Sequence, residues 1–379
     1  MSTNLVYGQE REVSGVSPEE TTVPLHVQRR LLELAVKTAE RTAIAPERLV
    51  TMLSAEVGQT ESEVVYAENK LRLRRYTPEE KRHATPVFVV YALVNRPYIL
   101  DLQPDRSVIR RLLEAGFEVY LVDWGEPSRL DTALGLSDYV CRYLVNCVDA
   151  ACDRSSVENV HLLGYCMGGT LSIMYTTRFP ERVRTLSLMA TPVVFDGTGG
   201  LLERWAAQYN PATVAQTYGN VPAELLASQF AMMEPVENLL TKYVRFFENI
   251  EDREFVEMFA RMERWTWDGV DVAGRVFTEF VDDVYQNNRL IDGKLTIDGE
   301  PVDPVDIDVP LLQILGQYDH IVPPASSRPL NDAVGSDDER IIEFPAGHIG
   351  ISVGGRAHAE LWPGYCSWLA ERTAGDNSC

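Results

Sequence analysis

The sequence predicts an α/β fold: a parallel sheet wrapped by helices and interrupted by one long helical insertion. Three observations carry that prediction. From Pro86 onward, apolar strands and amphipathic helices alternate with short connections. The alternation stops near Phe195 and resumes at the strand VPLLQILG, and the stretch between has helical spacing and many bulky side chains. The length of 379 residues, with 45% hydrophobic and 24% charged, suits one large globular domain or two modest ones.

The elements follow in order. Val23 to Ala55 has helical spacing with a charged face, and Val64 to Tyr76 alternates as strands do. Then come the strand VFVVYALV, a helix around Ser107 to Ala115, the strand FEVYLVDW, a helix around Ser137 to Cys152 and the strand VENVHLLGY. A helix runs from after Cys166 to about Arg178, and the strand VRTLSLMA follows. Several amphipathic helices fill 199–300, rich in Trp205, Phe230, Met232, Met233, Phe246, Phe247, Trp265, Trp267, Phe277 and Phe280. After VPLLQILG come a helix beyond Pro324, the strand RIIEFP and a closing helix from about Arg356 to Glu371. The division is an N-terminal helical segment at 1–60, a core at 61–198 and 301–379, and a helical cap at 199–300. A cap in that position covers the carboxyl ends of the strands, where open α/β sheets place their ligands.

Composition excludes several classes. A net charge of -21 repels phosphate backbones, so nucleic acid is not an expected partner. The longest apolar stretch, Pro86 to Val94, falls far short of the ~20 residues that span a bilayer. The segment MSTNLVYGQERE lacks the basic flank and apolar run of a secretion signal, and the expected location is the cytoplasm. Five lysines stand against thirty arginines, an acid-rich, lysine-poor balance suited to a salt-rich cytoplasm or produced by a GC-rich genome. Six cysteines, at 141, 147, 152, 166, 366 and 379, form neither a CxxC pair nor a zinc-type cluster, so no metal is expected. Cys141, Cys147 and Cys152 read as packing residues in a helix; Cys166 stands apart.

Gly164-Tyr165-Cys166-Met167-Gly168, followed by Gly169, lies directly after a strand and directly before a helix. That is the context of a nucleophile elbow, where a strained strand-to-helix turn exposes the central side chain. The positive end of the following helix favours the thiolate. A thiol nucleophile needs a base and a group to orient it, and both occur downstream at strand ends. Asp319 follows VPLLQILGQY before Pro323-Pro324, and His348 follows RIIEFPAG in a Gly347-His348-Ile349-Gly350 loop. The order Cys166, Asp319, His348 matches nucleophile, acid, histidine, with the cap between the first two. Oxyanion stabilisation is expected from the N–H of Met167 and of Val94, in the loop where the first core strand gives out. His320 either orients the site or caps a turn. His26, His83, His161 and His358 read as structural, and Asp123, Trp124 and Gly125 end the next strand as a structural turn or as residues that shape the site.

At this point the residues resemble those of the polyhydroxyalkanoate synthases, which are built on the α/β-hydrolase fold. The resemblance runs from about Tyr76 to Trp368 and rests on VNRPYILDLQP, GFEVYLVDWG, GYCMGG, MERWTWDG with VDDVYQNNRL, GQYDHIVPP and GHIG. It implies that Cys166, Asp319 and His348 are the catalytic residues, that 3-hydroxyacyl-CoA is the substrate and that a growing polyester chain is carried. Short-chain substrates such as 3-hydroxybutyryl-CoA are expected; coenzyme A is part of the substrate, and no cofactor is. The short length implies the catalytic subunit of the two-subunit type, and with the acid-rich composition the resemblance implies a haloarchaeal version. Such a subunit works with a separate helical partner of PhaE type, as a homodimer or hetero-oligomer, at the surface of polyester granules. Gly269 to Ala273 departs from the pattern by lacking a proline. The alternatives are a cysteine-based hydrolase of ester or polyester substrates and a granule scaffold without catalysis.

Overall fold

Alternating apolar segments become the strands of a single eight-stranded sheet. The computed structural model describes residues 55–198 and 200–373, together with Arg29, Glu33, 36–45 and 47–48. The strands are β1 (Glu63–Glu68), β2 (Leu71–Tyr76), β3 (Val87–Val90), β4 (Val119–Asp123), β5 (Val160–Tyr165), β6 (Val183–Met189), β7 (Leu311–Gly316) and β8 (Glu339–Phe344). Their order across the sheet is β1-β2-β4-β3-β5-β6-β7-β8. From β4 to β8 every pairing is parallel; β1 with β2 and β2 with β4 are antiparallel. The sheet is therefore mixed rather than wholly parallel. A hairpin whose turn carries Asn69 at φ 51° reverses β1 into β2, and only an antiparallel pair is compatible with so short a link.

Strands β3 and β5 are buried at every residue, as central parallel strands covered on both faces must be. Helices Val108–Glu114, Val145–Ser155, Met167–Arg178 and Trp362–Thr373 flank them. The Ser107 hydroxyl accepts from the Arg110 N–H and starts the first of these, satisfying one of its orphan donors. Strand β3 ends at Val90, four residues short of the run VFVVYALV. Tyr91, Ala92 and Leu93 are buried all the same. Apolarity signals burial, and here the chain has already bent out of the sheet to pass over the elbow.

Between β6 and β7 the chain forms helices at Leu201–Ala206, Pro211–Tyr218, Ala223–Ala231, Lys242–Glu248, Arg253–Trp267 and Gly274–Glu279. A small hairpin, Leu295–Ile297 with Glu300–Val302, leads back to the core. The Arg253–Trp267 helix is fastened along its second half to the segment before β1 and to the loop after β3. Arg261 Nε donates to Glu56 O at 2.9 Å, Arg264 Nη1 to Ala55 O at 2.8 Å and Trp265 Nε1 to Arg96 O at 2.9 Å. Just beyond it, Asp268 accepts from Tyr98 Oη at 3.1 Å and from Arg96 Nε at 3.3 Å. Not all the bulky side chains of this region face inward: Met232 and Trp267 are at least half exposed. Of the helix expected over Val23 to Ala55, Arg29, Glu33, 36–45 and 47–48 are helical, Ala55 is not, and the rest lies outside the described residues. Arg41 and Arg48 donate to the carbonyls of Glu248 and Ile250, bringing this helix against the insertion.

Candidate functional site

The turn after β5 is strained at one residue. Cys166 has φ 54° and ψ −127°, a region that side chains seldom occupy and that persists only when the surroundings enforce it. Those surroundings are glycines. A Cβ on Gly164 would lie 2.4 Å from the Gly169 Cα, and one on Gly168 would lie 2.2 Å from the Val90 carbonyl oxygen. The Met167–Arg178 helix can therefore press onto β5 and β3 only with those side chains missing, and that pressure fixes the turn. The Cys166 N–H donates to Met189 O at 2.9 Å, and its carbonyl accepts from Gly169 N–H at 2.8 Å. Cys166 is left half-buried, facing a cavity.

Asp319 and His348 come from the loops after β7 and β8, which are laced together. Gln317 N–H donates to Phe344 O at 2.8 Å and Tyr318 N–H to Ala346 O at 3.0 Å. Asp319 Oδ1 accepts the N–H groups of Ile321 (2.9 Å) and Val322 (2.8 Å), which leaves Oδ2 directed at His348 Nδ1, 2.7 Å away. Both side chains are almost fully buried. Burial alone would push the His348 imidazole down. The Asp319 charge leads the opposing causes, followed by the Cys166 charge and hydrogen bonds to both side chains, and the balance pushes it up to about 10. The structure thus brings Cys166, His348 and Asp319 into one connected line, with the second ring nitrogen of His348 free to serve the sulfur.

The remaining described thiols do not border the cavity that Cys166 faces. Burial pushes Cys152 up to about 11 and Cys366 up to about 12, and it raises Cys141 and Cys147 as well. Buried thiols so shifted are poor nucleophiles. Cys147 and Cys152 are buried and Cys141 half-buried, all in the helical stretch that packs on the sheet; Cys379 lies outside the described residues.

A cavity of about 410 Å³ opens over Cys166 and His348. Its floor includes Tyr91, Val94, Asn95, Tyr165 and Ile349; its roof, from the insertion, includes Phe230, Phe259, Met262, Trp265 and Trp267. Lys242 and Glu263 also line it as an ion pair 2.6 Å long, a feature with no signal in the sequence because the partners are 21 residues apart. Met167 opens its helix, so its N–H is one of the first-turn donors without an intrahelical acceptor. Val94 borders the same cavity. His320 also borders it, but its Nε2 lies 3.6 Å from Glu234 Oε2 of the insertion, and its side chain is 42% exposed. The bonds that orient Asp319 come from the backbone of Ile321 and Val322 instead.

Of the other histidines, His161 is fully buried between Thr185 and Thr373, and burial pushes it down to about 3. His83 stacks on Phe117, His358 bonds Ser352 O, and His26 lies outside the described residues. Asp123 is the last residue of β4, and just past it Trp124 Nε1 donates to Tyr91 O and Gly125 packs on the Lys70 carbonyl. Arg96 is occupied by Asp268 and Glu126. Among the described residues there is no cluster of three or more metal-binding side chains, and no helix is long and apolar enough to cross a membrane.

Comparison with known proteins gives the following. A family model described as alpha/beta hydrolase fold matches residues 85–354, and one described as the N-terminus of poly-beta-hydroxybutyrate polymerase (PhaC) matches 37–112. The chain is 55% identical over 355 residues to the poly(3-hydroxyalkanoate) polymerase subunit PhaC of Haloferax mediterranei, covering 93% of this chain and 72% of that protein. It is 54% identical to the same subunit of Haloarcula marismortui (93% and 76% covered) and 42% identical to that of Allochromatium vinosum (86% and 93%). Among solved structures it is similar to a soluble variant of monoglyceride lipase from Saccharomyces cerevisiae. That match has a TM-score of 0.53 at 12% identity, over 84% of this chain and 97% of that one. A monoacylglycerol lipase of Paleococcus ferrophilus gives 0.50 at 18% identity, over 80% and 100%. At such identities these structures speak to the fold alone.

Proposed function

Because the chain belongs to the poly(3-hydroxyalkanoate) polymerase family, as a polymerising transferase on the α/β-hydrolase fold, we propose that Cys166, His348 and Asp319 carry out polymerisation through a cysteine-bound thioester. Cys166 Sγ attacks the carbonyl carbon of a 3-hydroxyacyl-CoA while His348 takes the thiol proton. The new C–S bond replaces the bond to coenzyme A, which leaves as a thiol with the proton held by His348. The 3-hydroxyl of a further acyl unit then attacks a chain-bearing thioester, giving up its proton to His348, and an ester bond forms as the Cys166 sulfur is released. Asp319 holds the imidazole in the tautomer this requires and stabilises the imidazolium. The N–H groups of Met167 and Val94 are the candidates for holding the oxyanion at each tetrahedral stage.

The single observation that carries this reading is a sulfur, rather than a hydroxyl, at the strained elbow beside a buried His–Asp pair. Attack on a thioester by a thiol yields another thioester, so the acyl group keeps its reactivity for the next transfer. A serine would descend to a less reactive oxygen ester. The aromatic roof of Phe230, Phe259, Trp265 and Trp267 supports the exclusion of water, whose attack would release free acid. Short acyl groups such as 3-hydroxybutyryl are the proposed substrates. A helical partner subunit and a place at the polyester granule surface complete the reading. The test is incubation of the chain, alone and with a co-expressed partner subunit, with 3-hydroxybutyryl-CoA. Insoluble polymer with release of coenzyme A is expected, and Cys166→Ala abolishes both. Free 3-hydroxy acid as the main product would make the protein a hydrolase, and coenzyme A release by Cys166→Ala would overturn the assignment of the nucleophile.

A further inference from the structure

We infer that Tyr165 is a positioning residue that ties the loop bearing His348 to the elbow bearing Cys166, an inference that rests on the triad reading above. Tyr165 is the last residue of β5 and shares a peptide bond with Cys166. Its hydroxyl donates to the backbone carbonyl of His348 at 3.0 Å, and its ring stacks on the imidazole with centroids 5.4 Å apart and planes 28° from parallel. Tyr91 meets the same ring edge-on, with centroids 5.6 Å apart. The Ser352 side chain donates to Ile349 O at 2.8 Å, one residue past His348. One side chain, that of Tyr165, thus grips the base by its ring and its carbonyl.

Packing alone does not account for the arrangement. Phenylalanine would fill the same volume and keep the stack, whereas a hydroxyl taken into a fully buried site is costly unless it is bonded. Burial holds this hydroxyl well above its ordinary pKa, so it stays a donor. The acceptor it uses belongs to the base itself. Asp319 fixes the rotation of the imidazole about its own bonds, and Tyr165 fixes where the backbone beneath it sits relative to the sulfur. Because reactivity depends on sub-ångström placement of nucleophile and base, the consequence falls on turnover rather than on substrate binding.

The experiment compares Tyr165→Phe, which keeps the ring and removes the hydroxyl, with Tyr165→Leu, which removes both. Cys166→Ala and His348→Ala are run alongside. Steady-state release of coenzyme A from 3-hydroxybutyryl-CoA gives kcat and KM, and iodoacetamide gives the alkylation rate of Cys166 in folded protein. Tyr165→Phe is expected to lower kcat about fivefold with KM nearly unchanged and to slow alkylation of the folded protein in parallel, with a melting temperature lower by no more than a few degrees. Tyr165→Leu is expected to lose more. Parental kcat and alkylation in Tyr165→Phe, or a change in KM alone, would overturn the inference while the inactive Cys166→Ala and His348→Ala left the triad standing. Activity in either of those two variants would remove the premise itself. A lower melting temperature with unchanged alkylation of the folded fraction would reduce Tyr165 to a packing residue.

Discussion

At the scale of single residues the proposed chemistry rests on a contrast in position between one thiol and the others. Cys166 faces a cavity beside His348, whereas Cys147, Cys152 and Cys366 are buried and pushed up by that burial. Iodoacetamide should therefore modify Cys166 first and abolish turnover with it; peptide mapping of the first alkylated cysteine checks this, and prior modification of a helix cysteine would contradict it. Asp319→Asn leaves the geometry nearly intact but offers His348 the wrong partner, and a fall in kcat of ~10²–10⁴ is expected in the same coenzyme A assay. The pH dependence has a definite sign. His348 is held above its ordinary 6.5, at about 10, so the pairing stabilises the folded state fully below 6.5 and is lost as pH rises through about 10. Denaturant unfolding of the parent and Asp319→Asn should differ most near about pH 6 and converge in strong alkali; a gap that widens with pH would refute the pairing.

At the scale of elements, the elbow depends on bare backbone. A methyl group on Gly169 would come within 1.9 Å of Thr191 Oγ1, so Gly169→Ala must move either the helix or β6's exit, and a loss of about 3 kcal/mol or more in denaturant unfolding is expected. The insertion has its own anchor in Asp268, which takes bonds from Arg96 and Tyr98. Asp268→Ala is expected to loosen the roof and raise the share of free 3-hydroxy acid over polymer, which chromatography of the soluble products measures. Much of this scale was legible in sequence. The glycines around Cys166 announce a tight turn, and apolar runs such as VHLLGY announce buried strands, because both signals are local. The early end of β3 was not legible, since burial of Tyr91 to Leu93 looks the same in sequence whether the chain stays in the sheet or leaves it. His320 sits next to Asp319 in the chain yet turns to Glu234, and the Tyr165–His348 contact joins residues 183 apart. Spacing reveals what a turn or a helix face brings together; long-range packing decides the rest.

At the scale of the whole molecule, a net charge of -21 works against compactness, and screening relieves it. Ion pairs absorb much of the basic complement: Arg75 with Glu118, Arg96 with Asp268, Arg372 with Asp338. The melting temperature is accordingly expected to climb as salt is raised from ~0.1 M to molar levels, as followed by circular dichroism; full stability at low salt would count against this. Across the molecule, the sheet delivers three side chains from three strand ends to one point, and the insertion roofs them over. The claim that this point is a site of covalent acyl transfer is tested most directly by mass spectrometry of the protein quenched in acid after brief exposure to 3-hydroxybutyryl-CoA. A hydroxyacyl adduct is expected on the peptide that contains Cys166, labile to hydroxylamine and missing from Cys166→Ala. An adduct on another residue, or turnover without any adduct at Cys166 even when the following step is slowed, would contradict it.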